Sequence, residues 1–87
     1  MSNALEKMNQ AIAILKQISE DTTTPRNIRR AANEAIEALK EPKYTPAVKA
    51  SNAISILEEA SQDPNCPLHS RTKIWSAVSI LETIRDE

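Results

Sequence analysis

The 87-residue chain contains no glycine and no phenylalanine, and only one cysteine, one tryptophan and one tyrosine. Without glycine there is no Gly-rich loop to cradle a phosphate or a dinucleotide. Tight hairpin turns that require positive φ are disfavoured for the same reason. With so few aromatics the core has to be aliphatic, built from Ile, Leu, Val, Ala and Met. The single cysteine, Cys66, permits no intramolecular disulfide, so nothing points to an oxidising compartment. No run approaches the ~18 apolar residues of a membrane span. The opening residues, Met-Ser-Asn-Ala-Leu-Glu-Lys, lack the apolar stretch of a signal peptide. An excess of one charge is missing too: the net is −1, which gives no global attraction to nucleic acid or anionic lipid. The expectation is a soluble cytoplasmic protein with no membrane association.

What the chain does have is an echo. Shifted by 42 residues without a gap, residues 7–41 fall on residues 49–83, and 11 of those 35 positions are identical. The matches include Lys7/Lys49, Ala11/Ala53, Leu15/Leu57, Asp21/Asp63, Pro25/Pro67, Arg29/Arg71, Ala35/Ala77 and Leu39/Leu81. A fixed period in this range marks a repeated helix-turn-helix unit. The length allows one domain, read as hairpin one over 3–41 and hairpin two over 46–86.

Apolar residues at i, i+3, i+4 and i+7 predict four helices. The first carries Leu5, Met8, Ala11, Ile12, Leu15 and Ile18, and the second Ile28, Ala32, Ala35, Ile36 and Leu39. The third carries Ala50, Ala53, Ile54, Leu57 and Ala60, and the fourth Ile74, Ala77, Val78, Leu81 and Ile84. All five prolines fall between these segments. Asn3 with Glu6 reads as a capping box, and Thr24-Pro25 and Thr45-Pro46 each read as an N-cap followed by proline at the first helical position. Connections near 21–24, 42–45 and 62–66 are short, so successive helices run antiparallel. The expected all-α fold is an up-and-down four-helix bundle of two tandem helical hairpins. Its alternative, a two-unit HEAT-like stack, has fewer units than the three or more a solenoid needs to cover its core.

Residues present in both copies most simply serve the shared fold. Asp21 and Asp63 each precede an arginine by eight residues, Arg29 and Arg71. These pairs predict an ion pair or a contact with the loop backbone, bracing each hairpin turn. Residues that differ between the copies are better candidates for function. Arg26, Arg29 and Arg30 form the densest positive patch, and Arg26 and Arg30 repel each other at i, i+4 and oppose the helix dipole. That arrangement suggests an anionic partner; the plainer reading pairs Arg30 with Glu34 and leaves the rest solvated. Trp75 replaces Asn33 of the first copy. With Leu68, Ile74, Ile80 and Ile84 it makes the fourth helix apolar on more than one face. Such width means deep burial or a surface that meets a partner or a second copy. Ile14 and Ile56 also lie off the main stripes.

Cys66 and His69 stand three apart, but a zinc site wants four ligands and the chain has no other Cys or His. His69 has no neighbouring carboxylate in sequence to orient it, and Cys66 before proline reads as a small buried residue. Tyr44 lies in the linker, covering the end of the core or exposed.

Two segments carry a resemblance. Ile-Ser-Glu-Asp-Thr-Thr-Thr-Pro-Arg-Asn-Ile-Arg-Arg-Ala-Ala (18–32) and Asp-Pro-Asn-Cys-Pro-Leu-His-Ser-Arg-Thr-Lys-Ile-Trp (63–75) resemble the signatures of a small archaeal family, uncharacterised protein family 0147. Cys66 departs from the Met often found there. The resemblance implies an archaeal cytosolic protein with a compact four-helix fold. It implies no activity, substrate, cofactor or catalytic residue.

The reading that results is a non-enzymatic protein–protein interaction module, with no catalytic, cofactor or metal residues. Its candidate surface is the apolar flank at Leu68 and Trp75, the Arg26/Arg29/Arg30 patch, or both, and its partner is another protein or a second copy. The alternative is an RNA- or ribosome-associated protein contacting phosphates through Arg26, Arg29, Arg30, Lys40 and Lys43.

Overall fold

The computed structural model of the chain describes residues 3–86. It contains helices α1 (Ala4–Ser19), α2 (Arg26–Leu39), α3 (Pro46–Ser61) and α4 (Leu68–Leu81). Every boundary in the first half recurs 42 residues later, at Ala4/Pro46, Ser19/Ser61, Arg26/Leu68 and Leu39/Leu81. The rod formed measures 38 × 20 × 20 Å, one helix long and two helices thick.

Each helix packs on its neighbours in sequence, and α4 returns to pack on α1. This closure defines an up-and-down four-helix bundle. It excludes a HEAT-like stack, in which first helices would pack on first helices. The core is aliphatic, as the composition requires. One alanine per helix (Ala11, Ala35, Ala53 and Ala77) has no exposed surface at all, and Leu15, Ile18, Ile28, Leu57, Ile74 and Leu81 are the large side chains buried in the same core. Such small side chains take up little space between helices, and interaxial distance depends on the side chains at the contact. Ile14 and Ile56 are partly buried against the same core.

Among the described residues no backbone adopts positive φ, the counterpart of a chain without glycine. The helices therefore end without a left-handed cap, and their turns close through right-handed i→i−3 bonds such as Asp21 N–H to Ile18 O (3.2 Å) and Asp63 N–H to Ala60 O (3.2 Å).

The starts differ from expectation at two places. Asn3 caps nothing with its side chain: φ −101°, ψ 5° lies outside the extended geometry an N-cap needs, and the box with Glu6 does not form. Thr24 is no cap either. Helix α2 begins one residue beyond proline, with the Pro25 carbonyl accepting from Ile28 and Arg29 N–H. The Thr24 hydroxyl turns inward and meets the Ser70 hydroxyl at 2.7 Å, both residues 1% exposed. Thr45 does cap α3, accepting from Val48 N–H at 3.4 Å with Pro46 at the first helical position. The C-terminal tail completes that cap. Asp86 accepts from Ala47 N–H at 2.9 Å and from the Thr45 hydroxyl at 2.9 Å, placing a carboxylate at the positive end of α3.

Candidate functional site

Helix α4 turns Ser70, Ile74, Ala77, Val78 and Leu81 into the bundle. Trp75 follows Ile74 by one residue and is rotated about 100° away from that stripe. It stands 52% exposed, and Leu68, two turns earlier on the same side, is 68% exposed. Of the apolar flank, Ile74 and Ile84 belong to the core, Ile80 is partly buried, and Leu68 and Trp75 face water. An indole left half in water forgoes roughly 2–3 kcal/mol of burial.

Trp75 borders an open groove of about 660 Å³ between α3 and α4, lined also by Glu58, Ser61, Gln62, Arg71, Ile74 and Val78. Ile74 and Val78 form its apolar floor. Arg71 is engaged: its Nε donates to Ser61 O (3.0 Å), and its Nη2 donates to Asp63 O (3.3 Å) and Cys66 O (3.2 Å). These bonds clamp the α3–α4 loop and set the rim of the groove.

Arg26 and Arg30 are exposed along the outer side of α2, and Arg29 is half-buried. The Arg30–Glu34 ion pair expected from their spacing does not form, since among the described residues the ion pair present is His69–Asp21. The Arg29 Nε is buried without a hydrogen-bond partner. Lys40 and Lys43 lie at and beyond the far end of α2, about 20 Å from Arg26 along the helix. The five cations of the phosphate-binding reading therefore form two separate groups. Tyr44 is 43% exposed, with Lys43 Nζ 5.9 Å from its ring centre.

Neither Asp/Arg ion pair is made. Asp21 instead folds its own loop, its Oδ1 accepting from Thr23 N–H (2.9 Å) and Thr23 Oγ1 (2.6 Å). Its Oδ2 reaches His69 Nε2 of the other hairpin at 3.1 Å. The Thr23 hydroxyl and amide, helped by Thr24 and His69 and opposed by partial burial, hold the Asp21 carboxyl down at about 2. Asp63 repeats the pattern: Oδ1 accepts from Asn65 N–H (2.8 Å) and Oδ2 from Asn27 Nδ2 (2.7 Å). Asn27 and His69 are 42 residues apart, as are Asp21 and Asp63. The two cross-hairpin bonds are therefore equivalent in position. Comparing the halves for identical residues passes over them; comparing for hydrogen-bonding capacity finds them. For Arg71, the expected contact with the loop backbone is the one that forms.

Cys66 is buried, and burial pushes its thiol up despite the opposing charge of Arg71, which leaves it a poor nucleophile. Among the described residues no three His, Cys, Asp or Glu side chains are grouped to hold a metal ion, and no helix is long and apolar enough to cross a membrane.

The sequence signature of Uncharacterised protein family UPF0147 matches residues 1–84. The chain belongs to this family. A UPF0147 protein of Metallosphaera sedula is 58% identical over 80 residues, covering 92% of this chain and 90% of the relative. One from Desulfurococcus amylolyticus is 54% identical over 80 residues, covering 92% and 88%. Both relatives are archaeal. Among solved structures, a crystal structure of a protein of unknown function superposes with a TM-score of 0.91 at 45% identity, covering 94% of this chain and 93% of that one. The crystal structure of a UPF0147 member from Thermoplasma acidophilum gives a TM-score of 0.87 at 28% identity, covering 93% and 95%. The UPF0147 fold is thus the four-helix arrangement seen here.

Proposed function

We propose that this UPF0147 chain is a non-enzymatic protein–protein interaction module of the cytoplasm that docks its partner on the α3/α4 face. The observation that carries this reading is Trp75, 52% exposed at the border of a groove with an apolar floor, with Leu68 on the same side of α4. Full burial of Trp75 would have removed the basis for it. Large amphipathic rings dominate protein contacts because they supply area at little entropic cost. The remaining reactive groups have structural employment: Cys66 is buried, and Asp21 and Asp63 are committed to turns and cross-hairpin bonds.

Capture from an archaeal cell extract, with and without nuclease, tests the proposal. A protein retained after nuclease by wild type and released by Trp75→Ala supports it. Retention that vanishes with nuclease, or is indifferent to Trp75, contradicts it.

A second reading has its own observation: Arg26 and Arg30 are exposed and form no ion pair with a described residue. Contact with RNA phosphates would use them. Affinity would then fall steeply with salt, and Arg26→Glu with Arg30→Glu would abolish it. Binding insensitive to salt removes this reading.

A further inference from the structure

Residues 22–33 contain three arginines and no acid. Arg26, Arg29 and Arg30 share the first turns of α2 within an arc of about 100°, so they repel one another and oppose the helix dipole. None forms an ion pair with a described residue. Arg29 is the informative member. Arg71 holds the equivalent position in the second half, where its Nε donates to Ser61 O and its Nη2 to Asp63 O and Cys66 O. The buried Nε of Arg29 bonds nothing. Buried donors in folded proteins nearly always have an acceptor. This placement is therefore unfavourable, and no bond at Nε holds it. A turn of the half-buried side chain brings its fork of Nε and Nη donors to the surface.

The neighbouring carboxylates do not neutralise the patch. Glu34, four residues past Arg30, lines the groove between α2 and α3 and pairs with no arginine. In the second half Glu58, Gln62 and Arg71 line one groove. Their counterparts 42 residues earlier are Lys16, Glu20 and Arg29. The correspondence puts Lys16 and Glu20 on the side of α1 that Arg29 meets. With Arg26 and Arg30 that makes four cations to one carboxylate, in a chain whose net charge is −1.

We propose that this patch binds a phosphate group, with Arg29 as its bidentate anchor and Lys16, Arg26 and Arg30 as the surrounding cations. The planar fork of arginine matches two phosphate oxygens, each accepting from one N–H, whereas lysine offers only a point charge. The ligand is a phosphate and not a protein, so the site is independent of the docking face on α3/α4. Its carrier is a free oligophosphate or an RNA backbone, and only the second is what the RNA reading above requires.

Inorganic tripolyphosphate and a single-stranded oligouridylate are the two probes, titrated separately at several salt concentrations. At least one should bind, more weakly as salt rises. Arg29→Lys keeps the charge and loses the fork, and it should weaken binding about tenfold. Arg71→Lys, the same change at an arginine committed to its own loop, should leave binding unchanged. Arg26→Ala with Arg30→Ala, both at exposed positions, should also weaken it, and all variants are checked for helicity. The probe bound more tightly names the carrier: the oligouridylate an RNA backbone, tripolyphosphate a free oligophosphate, which removes the RNA reading and keeps the site. Wild-type affinity in Arg29→Lys overturns the proposal even where RNA still binds through Arg26 and Arg30. An equal loss in Arg71→Lys marks a general effect on the fold and overturns it too. Binding of neither probe overturns the proposal and the RNA reading together.

Discussion

At the scale of single residues, the most informative contacts are the two bonds that tie one hairpin to the other. Asp21 holds His69, and Asp63 holds Asn27 at the equivalent place. Because an amide already performs this role once, His69→Asn should leave stability nearly unchanged. His69→Ala should lower it by about 1 kcal/mol in urea unfolding. Equal losses for both would show that the imidazole does something an amide cannot. The pH dependence follows from Asp21. Its carboxyl titrates at about 2 in the fold against an ordinary 3.8. A depressed carboxyl contributes stability that is fully present above the ordinary value and is lost as pH falls through the folded one. Wild type should therefore exceed Asp21→Asn in stability near pH 6, and the gap should close between about pH 4 and pH 2. A gap that stays constant over that window would mean the carboxylate charge is not what matters. These bonds were hidden in the sequence. The pairs that stood out were the Asp and Arg identities; Arg71 does reach the Asp63 carbonyl, but both aspartate carboxylates are taken by their own loops and by the opposite hairpin.

At the scale of elements, the helices themselves were legible. Periodicity and proline placement located all four, because burial on one face leaves a 3.6-residue signature that tertiary context reinforces. Their starts were less so. A threonine before proline reads as a cap twice in this chain. Thr45 serves as one, whereas Thr24 is drawn into the core by Ser70, a residue 46 positions away that no local pattern announces. The tail was equally invisible, since Asp86 meets the start of α3 across the bundle end. Asp86→Ala should cost about 1 kcal/mol, the usual worth of an N-terminal cap. Combined with Thr45→Ala it should cost less than the sum of the single losses, because both act on the same helix start. Strict additivity in thermal or urea unfolding would place Asp86 outside the cap. The fully buried alanines make a different prediction. Ala53→Leu forces extra methylenes into a position with no exposed surface and should destabilise by about 1–3 kcal/mol.

At the scale of the whole molecule, a closed bundle whose helix boundaries recur 42 residues apart sets two corresponding faces on the two halves of the chain and gives them different surfaces. One bears Lys16, Arg26 and Arg30; the other bears Glu58, Leu68 and Trp75. The sequence pointed to Trp75 through its lack of a like counterpart. It did not show whether the indole was in the core, since a helix apolar on several faces suits burial and docking alike. The structure separates the residues of that broad face: Ile74 and Ile84 inside, Leu68 and Trp75 outside. The arginines were named together but part company, with Arg29 half-buried and Arg26 and Arg30 in solvent. Trp75→Ala should accordingly lower stability by about 1–2 kcal/mol in urea unfolding, the packing of the buried half of the indole, and not by the larger loss expected had the whole ring been in the core.

The claim on which the account rests is that the α3/α4 face, and not its equivalent on the other half, meets a partner. The most direct measurement replaces Trp75 with a photo-crosslinking p-benzoylphenylalanine and, separately, places the same group at Asn33, its counterpart on α2, in cells of an archaeal host. The account predicts a discrete protein adduct from position 75 and none from position 33. Adducts from position 33 alone, or the same adducts from both, would contradict it.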